Sequence, residues 1–298
     1  MSPRITVIIP HLEDFARLAV CLHHLERQNL PRASYEICVI DNGSRANRLD
    51  LLSRQYPGVR WLEQPSGGSY AARNKGIEQA RGELIALTDA DCIPSRDWLA
   101  SGLAQLQDSA GDILGGRVEV FGRTHARSLA ERYELQTGFP QRRYIEEENF
   151  AVTANLMASR AVFEDVGLFD ARLRSGGDVE WCQRAVRAGH CLDYAAEMVV
   201  YHPARVSARA LLSKIHRTIR GAANRRLRSP GTSHADELST LLAELRLMLP
   251  PARWGFETLL ADLDPRDKAA LLLFRTADVM IRHATMARVS LERLFDER

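Results

Sequence analysis

The sequence of 298 residues lacks the features that mark secreted, disulfide-rich or membrane-spanning proteins. Its five cysteines are an odd number and include no C-x-x-C pair, so we see neither a disulfide framework nor a zinc signature. No signal-peptide core is visible at the amino terminus, and no window approaches the roughly 18 apolar residues that span a bilayer. We therefore expect a cytoplasmic protein that is soluble or at most lies on a membrane surface.

The sequence also has little charge imbalance, no internal repeat and no low-complexity tract. Its 40 basic and 38 acidic side chains give a formal net charge of +2, which provides no reason to expect a nucleic acid partner. What it does have is an ordinary globular composition, with 45% hydrophobic and 26% charged residues. This length and composition indicate one large domain with an appendage.

Short apolar runs alternate with helix-like segments in the first part of the chain. Such runs are typical of strands buried on both faces, and the alternation predicts an α/β fold with a mostly parallel sheet flanked by helices. The predicted strands are Arg4–Pro10, Tyr35–Ser44, Val59–Gln64 and Leu84–Asp89. The predicted helices include Arg17–Leu30 and Ser69–Gly82, the second with Gly82 just past its end as a cap. Because ligands gather beyond the carboxyl ends of such strands, polar residues there are candidate site residues.

Later segments predict further elements around this sheet. They are a strand or hairpin arm at Asp112–Gly122, helices at Ser128–Phe139 and Arg160–Val166, a helix closed by Gly189, and a last strand at Asp193–Pro203.

Two carboxylates follow the fourth predicted strand with only Ala90 between them. In extended backbone Asp89 and Asp91 point the same way, and neighbouring carboxylates repel each other unless a cation lies beside them. Mg²⁺ and Mn²⁺ prefer oxygen ligands and often bridge carboxylates to substrate phosphates. The pair indicates a divalent cation site, although aspartate is also common in the turn after a strand.

Five motifs occur in the order and spacing of the family 2 glycosyltransferases, which the chain resembles from about Ile5 to Pro203. They are VIIP, VIDNGS, AARNKGI, GELIALTDADCIPSRDWL and GGDVEWCQRAVRAGH. The resemblance implies a nucleotide-binding, glycosyltransferase A-type catalytic domain over residues 1–205. It also implies an inverting enzyme that uses a nucleotide sugar and Mg²⁺ or Mn²⁺. The remaining residues, 206–298, are expected to form a helical carboxy-terminal region.

The resemblance places the donor side of the site at the ends of several strands. Asp41 matches the carboxylate that accepts a hydrogen bond from the nucleotide base, usually uracil, which favours a UDP-sugar. Asp91 matches the metal ligand, and His202 lies where some members place a histidine near the metal or diphosphate. Other matches lie near the base, ribose, phosphates or metal: Pro10, His11, Arg73, Asp89 and Ala90.

The stretch GGDVEW carries Asp178, which the resemblance identifies as the general base. Family members usually have Glu-Asp here, whereas Gly177 stands in place of the glutamate. A base opposite the leaving nucleoside diphosphate gives a single displacement with inversion at the anomeric carbon. Asp178 could also cap a helix that starts at Val179, since aspartate is a favoured N-cap.

Several other residues have two interpretations each. Arg73 could be a solvated helix residue, and His202 could make an ordinary hydrogen bond at a strand end. Trp181 could belong to an acceptor platform or to the core. The preferred interpretation of Glu146–Glu148 is a solvated acidic run, and the second is a sugar-binding loop. Asn155 matches a stretch near the donor sugar.

The segment Val206–Arg228 is basic and helical in pattern. Its apolar positions form a stripe of Leu211, Leu212, Ile215 and Ile219. Such a helix can lie on an anionic membrane or dock on the catalytic domain. Peripheral contact with the inner membrane would suit a saccharide or lipid-linked saccharide acceptor in bacterial surface polysaccharide or glycolipid assembly, as the resemblance implies. After a linker at 229–237, helices broken near 249–255 and 262–267 could form a bundle or pair two subunits.

Two other functions compete with transfer of a single sugar. A sugar-phosphate nucleotidyltransferase would carry a Gly-rich basic signature after the first strand, where HLEDFARL stands instead. A non-catalytic nucleotide-sugar-binding protein is disfavoured by the joint presence of Asp41, Asp89, Asp91 and Asp178. The Q-x-x-R-W motif and membrane spans of processive synthases are absent, which favours single transfer over polymerisation.

Overall fold

A computed structural model describes four stretches of the chain, namely residues 3–44, 49–108, 111–228 and 263–296. The chain divides into two units. The first comprises Met1–Phe121 and Phe139–Pro203, and the second comprises Gly122–Gly138 and Ala204–Arg298. The predicted domain boundary between residues 205 and 206 lies close to the last of these divisions. The assignment of residues 1–205 and 206–298 as functional domains stays a prediction.

The described chain contains one sheet and helices in both units. Its strands are β1 (Ile5–His11), β2 (Tyr35–Asp41), β3 (Val59–Glu63), β4 (Leu84–Thr88), β5 (Ile93–Pro94), β6 (Ile113–Phe121), β7 (Asn155–Ser159) and β8 (Leu192–Pro203). Its helices are α1 (Phe15–Leu25), α2 (Leu49–Gln55), α3 (Gly68–Glu78), α4 (Trp98–Asp108), α5 (Leu129–Thr137), α6 (Gln141–Glu148), α7 (Arg160–Val166), α8 (Gly177–Arg187), α9 (Ala208–Arg228) and α10 (Pro265–Asp296). Helices α5, α9 and α10 belong to the second unit.

The first unit is an α/β fold built on a mixed sheet, as far as its described residues extend. The strand order is β3-β2-β1-β4-β7-β6-β8-β5. Strands β1 to β4 are parallel to one another, and β6 is parallel to β8. In contrast, β7 is antiparallel to both of its neighbours, and β5 is antiparallel to β8. The α/β prediction is confirmed, and the antiparallel strands make the sheet less uniformly parallel than the sequence pattern indicates.

The continuous apolar runs reflect burial on both faces of the sheet. In β1, Ile5, Val7 and Ile9 pack into a core that also contains α1 and α4 residues. Ile8 points to the other face, where its core includes residues of α3, α7 and α8. Because strand side chains alternate between faces, a strand covered on both sides needs an apolar residue at nearly every position.

The end of α3 differs from its prediction. The helix stops at Glu78, so Gly82 is not its cap. The Gly82 N–H donates to Thr6 Oγ1 (2.9 Å), and a Cβ at Gly82 would lie 2.6 Å from the carbonyl carbon of Ile5. This glycine is therefore required by the close approach of its loop to β1, and not by helix termination.

The second unit encloses the apolar stripe of the basic segment. Leu211, Ile215 and Ile219 of α9 are buried in a cluster with Ala130 and Phe274. The stripe is therefore packed within this unit, and the predicted linker at 229–237 and break at 249–255 lie outside the described residues. Within the predicted break at 262–267, α10 begins at Pro265, and the chain before residue 263 lies outside the described residues. Among the described residues, every helix falls short of the length or hydropathy needed to cross a membrane.

Helix α3 lies against β1 and β2 at Gly76. A Cβ at this position would come within 2.6 Å of Ile8 Cγ2 and 2.8 Å of Ile40 Cδ1. Both isoleucines are fully buried, so neither side chain can move into solvent to make room.

We predict that Gly76→Ala lowers the free energy of unfolding, because overpacking a core usually costs about 1–3 kcal/mol. This loss should exceed the gain of about 1 kcal/mol in helix propensity that alanine brings. Urea denaturation of the full chain measures the difference. Glu78→Ala, at an exposed position of the same helix, is the control and should stay within about 0.5 kcal/mol of the unchanged protein. Equal stability of the two variants would contradict the close packing of α3.

Candidate active site

The acidic pair lies in a turn just beyond β4. The strand ends at Thr88, and the Cys92 N–H donates to the Asp89 carbonyl oxygen (3.0 Å). Ligand atoms of Asp89, Asp91 and Cys92 lie within 4.8 Å of one another. The two carboxylates are close together as predicted, but a turn and not an extended backbone brings them together. The turn and cation-site interpretations are compatible.

His202 adds a nitrogen donor beside this turn. The side chain lies at the end of β8, is 4% exposed, and has its Nδ1 atom 2.9 Å from the Pro203 carbonyl oxygen. A carbonyl oxygen only accepts, so Nδ1 carries a proton, and Nε2 is the ring nitrogen that a neutral imidazole would offer to a cation. Nε2 lies 3.7 Å from Asp91 Oδ2.

These residues fit a hard divalent cation. An imidazole lone pair and carboxylate oxygens are suitable ligands for Mn²⁺, and carboxylates are suitable for Mg²⁺. The Cys92 sulfur is a soft ligand, and burial together with the nearby carboxylates raises the pKa of its thiol. Asp91 and His202, with Asp89, are therefore the candidate ligands, and Cys92 is not.

Arg73 is a buried cation beside the acidic turn. It is 3% exposed, and its NH2 group donates to the Asp89 carboxylate. The interpretation of Arg73 as a solvated helix residue is therefore wrong. A buried guanidinium without a counter-charge lowers the stability of the fold, so part of the Asp89 negative charge is used to neutralise Arg73. Asp91 and His202 are then the residues best placed to bind a cation directly.

His11 and Asp41 face each other because β1 and β2 are paired at these two positions. His11 Nδ1 lies 3.2 Å from Asp41 Oδ1, and both side chains are buried. Asp41 also accepts hydrogen bonds from the Ser44 N–H (2.9 Å) and hydroxyl (2.5 Å). Asp41 therefore stabilises the turn after β2, and its contact with a nucleotide base stays a prediction. The roles of Pro10 and Ala90, both half-buried, also stay predictions.

His11 provides one further sign of a ligand site at this end of the sheet. Its Nε2 atom is buried and has no hydrogen-bond partner among the described residues. Buried polar atoms are usually paired, so an orphaned ring nitrogen at a strand end is consistent with a bound polar ligand.

Asp178 lies in the first turn of α8 and does not cap the helix. Gly176, with φ of 78°, occupies the N-cap position, and the helix begins at Gly177. Asp178 Oδ1 accepts hydrogen bonds from the Val179 N–H (3.0 Å) and from the Tyr70 hydroxyl (3.2 Å). The capping interpretation is wrong, and the carboxylate lies instead at the positive end of the helix dipole.

Two contacts of α3 beside the candidate site were not predicted from the sequence. The Tyr70 hydroxyl donates a hydrogen bond to Asp178, and the Asn74 side chain binds the backbone of Phe169 in the loop before α8. The Asn74 side-chain amide donates to the Phe169 carbonyl oxygen (2.8 Å) and accepts from the Phe169 N–H (3.1 Å). Tyr70 precedes Arg73 by one helical turn, so the shared face was visible in the sequence, although the partners were not.

Trp181 belongs to the core. It is fully buried and stacks on Phe163 with 4.4 Å between ring centroids, and its indole N–H donates to the Gly167 carbonyl oxygen (2.9 Å). The acceptor-platform interpretation is wrong, because a side chain without exposed surface cannot contact an acceptor.

Asn155 also has a structural role. Its amide oxygen accepts from the Trp98 indole N–H (2.8 Å), and its nitrogen donates to the carbonyl oxygens of Arg117 (2.9 Å) and Met198 (2.7 Å). The residue is fully buried and connects these three segments, which leaves no surface for a donor sugar.

The acidic run Glu146–Glu148 lies at the end of α6. Its first two members pair with Arg142 (3.7 Å) and Arg143 (3.0 Å), one helical turn earlier. All three glutamates are exposed, so the solvated-run interpretation is confirmed.

Solved structures of other proteins share this fold. The mannosyltransferase PcManGT from Pyrobaculum calidifontis, solved with GDP-Man and Mn²⁺, has a TM-score of 0.64 and 19% identity, and the match covers 100% of this chain and 89% of that one. S. aureus TarS 1–349, solved with UDP-GlcNAc, has a TM-score of 0.56 and 15% identity over 97% of this chain and 92% of that one. The fold is that of the glycosyltransferase A-type enzymes.

Sequence comparison then identifies the family. The model of Glycosyl transferase family 2 matches residues 6–167. Glycosyltransferase AglE of Haloferax volcanii is 39% identical over 207 residues, which are 68% of this chain and 68% of AglE. The chain belongs to glycosyl transferase family 2, and it is a glycosyltransferase as the motifs indicated.

We predict that Asp91→Asn weakens Mn²⁺ binding at least about tenfold, because the change removes a charged oxygen ligand, and even changes beside metal ligands typically cost 10–100-fold. Titration of the full chain followed by electron paramagnetic resonance of free Mn²⁺ measures the affinity. Asp97→Asn, an exposed aspartate six positions later in the chain, is the matched control and should leave the affinity unchanged. Equal Mn²⁺ affinities of the two variants would rule out Asp91 as a ligand.

Proposed function

We propose that this glycosyltransferase transfers a single sugar from a UDP-sugar to a hydroxyl group, with Mg²⁺ or Mn²⁺ and with inversion of the anomeric carbon. The observation that carries the proposal is the arrangement of α3. Its Arg73 pairs with Asp89 of the acidic turn. Its Tyr70, one helical turn before Arg73, contacts Asp178. One helix therefore connects the candidate donor-side carboxylate with the candidate base.

The donor side would hold the leaving nucleoside diphosphate through positive charge. A divalent cation, when bound by Asp91 and His202 with Asp89, would neutralise the negative charge that develops on the departing phosphate oxygens. Arg73 supplies a second, permanent positive charge close to Asp89. Pro10, His11, Asp41 and Ala90 would line the base and ribose, and Asp41 would accept a hydrogen bond from uracil.

The acceptor side would depend on Asp178 as general base. An acceptor hydroxyl is a poor nucleophile until its proton is taken. Asp178 would accept that proton while the acceptor oxygen bonds to the anomeric carbon and the bond to the diphosphate oxygen breaks. A single displacement of this kind inverts the configuration and requires no covalent enzyme intermediate.

The choice of UDP rests on Asp41, which matches the uracil-binding position of the family. The structurally similar proteins were solved with different nucleotides, since PcManGT carries GDP-Man and TarS carries UDP-GlcNAc. A donor screen must therefore include both UDP- and GDP-sugars.

The acceptor part of the proposal is a saccharide or lipid-linked saccharide used in bacterial surface polysaccharide or glycolipid assembly. Cytoplasmic location with peripheral contact at the inner membrane would bring the enzyme to such an acceptor. The apolar stripe of α9 is packed, so contact with anionic lipids would use its exposed basic side chains, namely Arg209, His216, Arg217 and Arg220. Subunit pairing would use α10, where Leu272, Leu273 and Met280 are more than half exposed.

We predict that Asp178→Asn lowers turnover by about 10²–10⁴-fold, the usual contribution of a general base. Binding of UDP with Mn²⁺ should stay unchanged, because the substitution keeps the size of the side chain and Asp178 is not among the candidate cation ligands. Turnover is measured as nucleoside diphosphate release from UDP- and GDP-sugars, and binding by calorimetry. Glu180→Gln, on the same helix and paired with Arg184, is the control and should keep its activity. Near-normal turnover of Asp178→Asn would exclude Asp178 as the base.

A further inference from the structure

Tyr70 and Gly177 are in close contact beside Asp178. The Tyr70 ring lies so close to Gly177 that an added Cβ there would be 2.9 Å from two ring carbons. The backbone of Gly177 lies outside the left-handed region, so contact with the ring, and not backbone conformation, excludes a side chain. This contact lets the Tyr70 hydroxyl reach the first turn of α8.

The hydroxyl makes two contacts with the same residue. It donates to Asp178 Oδ1 (3.2 Å) and accepts a longer hydrogen bond from the Asp178 N–H (3.4 Å). Because one oxygen atom contacts both the backbone and the carboxylate, it restricts rotation of the Asp178 side chain. The Val179 N–H reinforces the same orientation through Oδ1 (3.0 Å).

The Tyr70 ring is itself held in place. It is 6% exposed, packs against Phe169 with 5.6 Å between centroids, and lies under the Arg73 guanidinium, whose carbon is 5.7 Å from the ring centre. Burial and the Asp178 charge raise the pKa of the phenol, so the hydroxyl keeps its proton at any physiological pH. Tyr70 is therefore a fixed hydrogen-bond donor to the carboxylate.

We propose that Tyr70 is a positioning residue, which orients the Asp178 carboxylate through its hydroxyl, and that Gly177 is required because it gives the Tyr70 ring room. The proposal deepens the proposed function, because it rests on Asp178 being the base of sugar transfer. Tyr70 touches neither the donor nor the acceptor in this proposal and acts only through Asp178. Its loss should therefore change the rate of the chemical step and leave donor binding alone.

The test begins with Tyr70→Phe, which removes one oxygen atom and keeps the ring. Wild-type protein is screened with UDP-glucose, UDP-GlcNAc and GDP-mannose in the presence of Mn²⁺, with water as acceptor, and the fastest donor is used for all variants. We expect kcat to fall about 10- to 100-fold, the cost of a small misplacement of a catalytic group. We expect the donor KM and the Kd for the nucleoside diphosphate to stay within about twofold.

A matched control separates positioning from general stability. Tyr35 is another buried tyrosine, and its hydroxyl donates to the Leu25 carbonyl oxygen (2.7 Å). Tyr35→Phe should lower the melting temperature and leave kcat unchanged. Equal kcat losses in the two phenylalanine variants, or an unchanged kcat in Tyr70→Phe, would overturn the proposal.

A double-mutant cycle tests the role of Gly177. Gly177→Ala should displace the Tyr70 ring and lower kcat by a factor similar to that of Tyr70→Phe. The double variant should lose little more than either single variant, because both changes remove the same hydrogen bond. Multiplicative losses would show that the two residues act independently and would overturn the pairing.

A structural readout keeps this proposal separate from the proposed function. If the wild-type protein releases no nucleoside diphosphate from any of the three donors, sugar transfer from these donors fails as the function. Crystal structures of the wild type and Tyr70→Phe then decide the positioning role. Rotation of the Asp178 carboxylate in the variant supports the proposal, and an unchanged carboxylate overturns it.

Discussion

Helix α3 fixes two separate acidic groups through side chains one turn apart, and the candidate site depends on this constraint. Arg73 pairs with Asp89, and Tyr70 contacts Asp178. Gly76 lets α3 pack closely on β1 and β2, and this close packing sets the distance between the helix and the sheet. A shift of α3 would move both carboxylates together, so the packing of one buried helix determines the geometry between the candidate donor and acceptor sides.

The buried Arg73 reduces the repulsion between Asp89 and Asp91, whose carboxylates lie close together in one turn. Removing a guanidinium from water is costly unless a counter-charge is present, and Asp89 provides that charge. Asp89 is only partly buried, with a third of its side chain exposed, so the pair keeps some solvation. Asp91 then differs from Asp89 although the two lie in one turn, because its neighbour is the His202 imidazole, which carries no fixed charge.

The sequence predicted the parts of the molecule that local pattern determines. The apolar runs of β1, β2 and β4 and the limits of α7 followed from side-chain type and turn residues. The antiparallel direction of β7 did not, because it depends on pairing between distant segments. Motif position correctly suggested Asp89 and Asp91 as neighbours, yet it left Trp181 open between an acceptor platform and the core and placed Asn155 near the donor sugar, since a motif does not show whether a side chain faces a cleft or the core.

Gly177 shows how a departure from a family motif can be compensated by a distant residue. Where family members usually have glutamate, the space above the helix start is filled here by the Tyr70 ring. An ionised glutamate would add negative charge beside Asp178 and could not donate a hydrogen bond to it. A tyrosine hydroxyl is neutral and donates, so together with the Val179 N–H it gives the Asp178 carboxylate two hydrogen bonds that a glutamate at position 177 could not supply. The glycine therefore changes which residue supports the aspartate, while the carboxylate itself is kept.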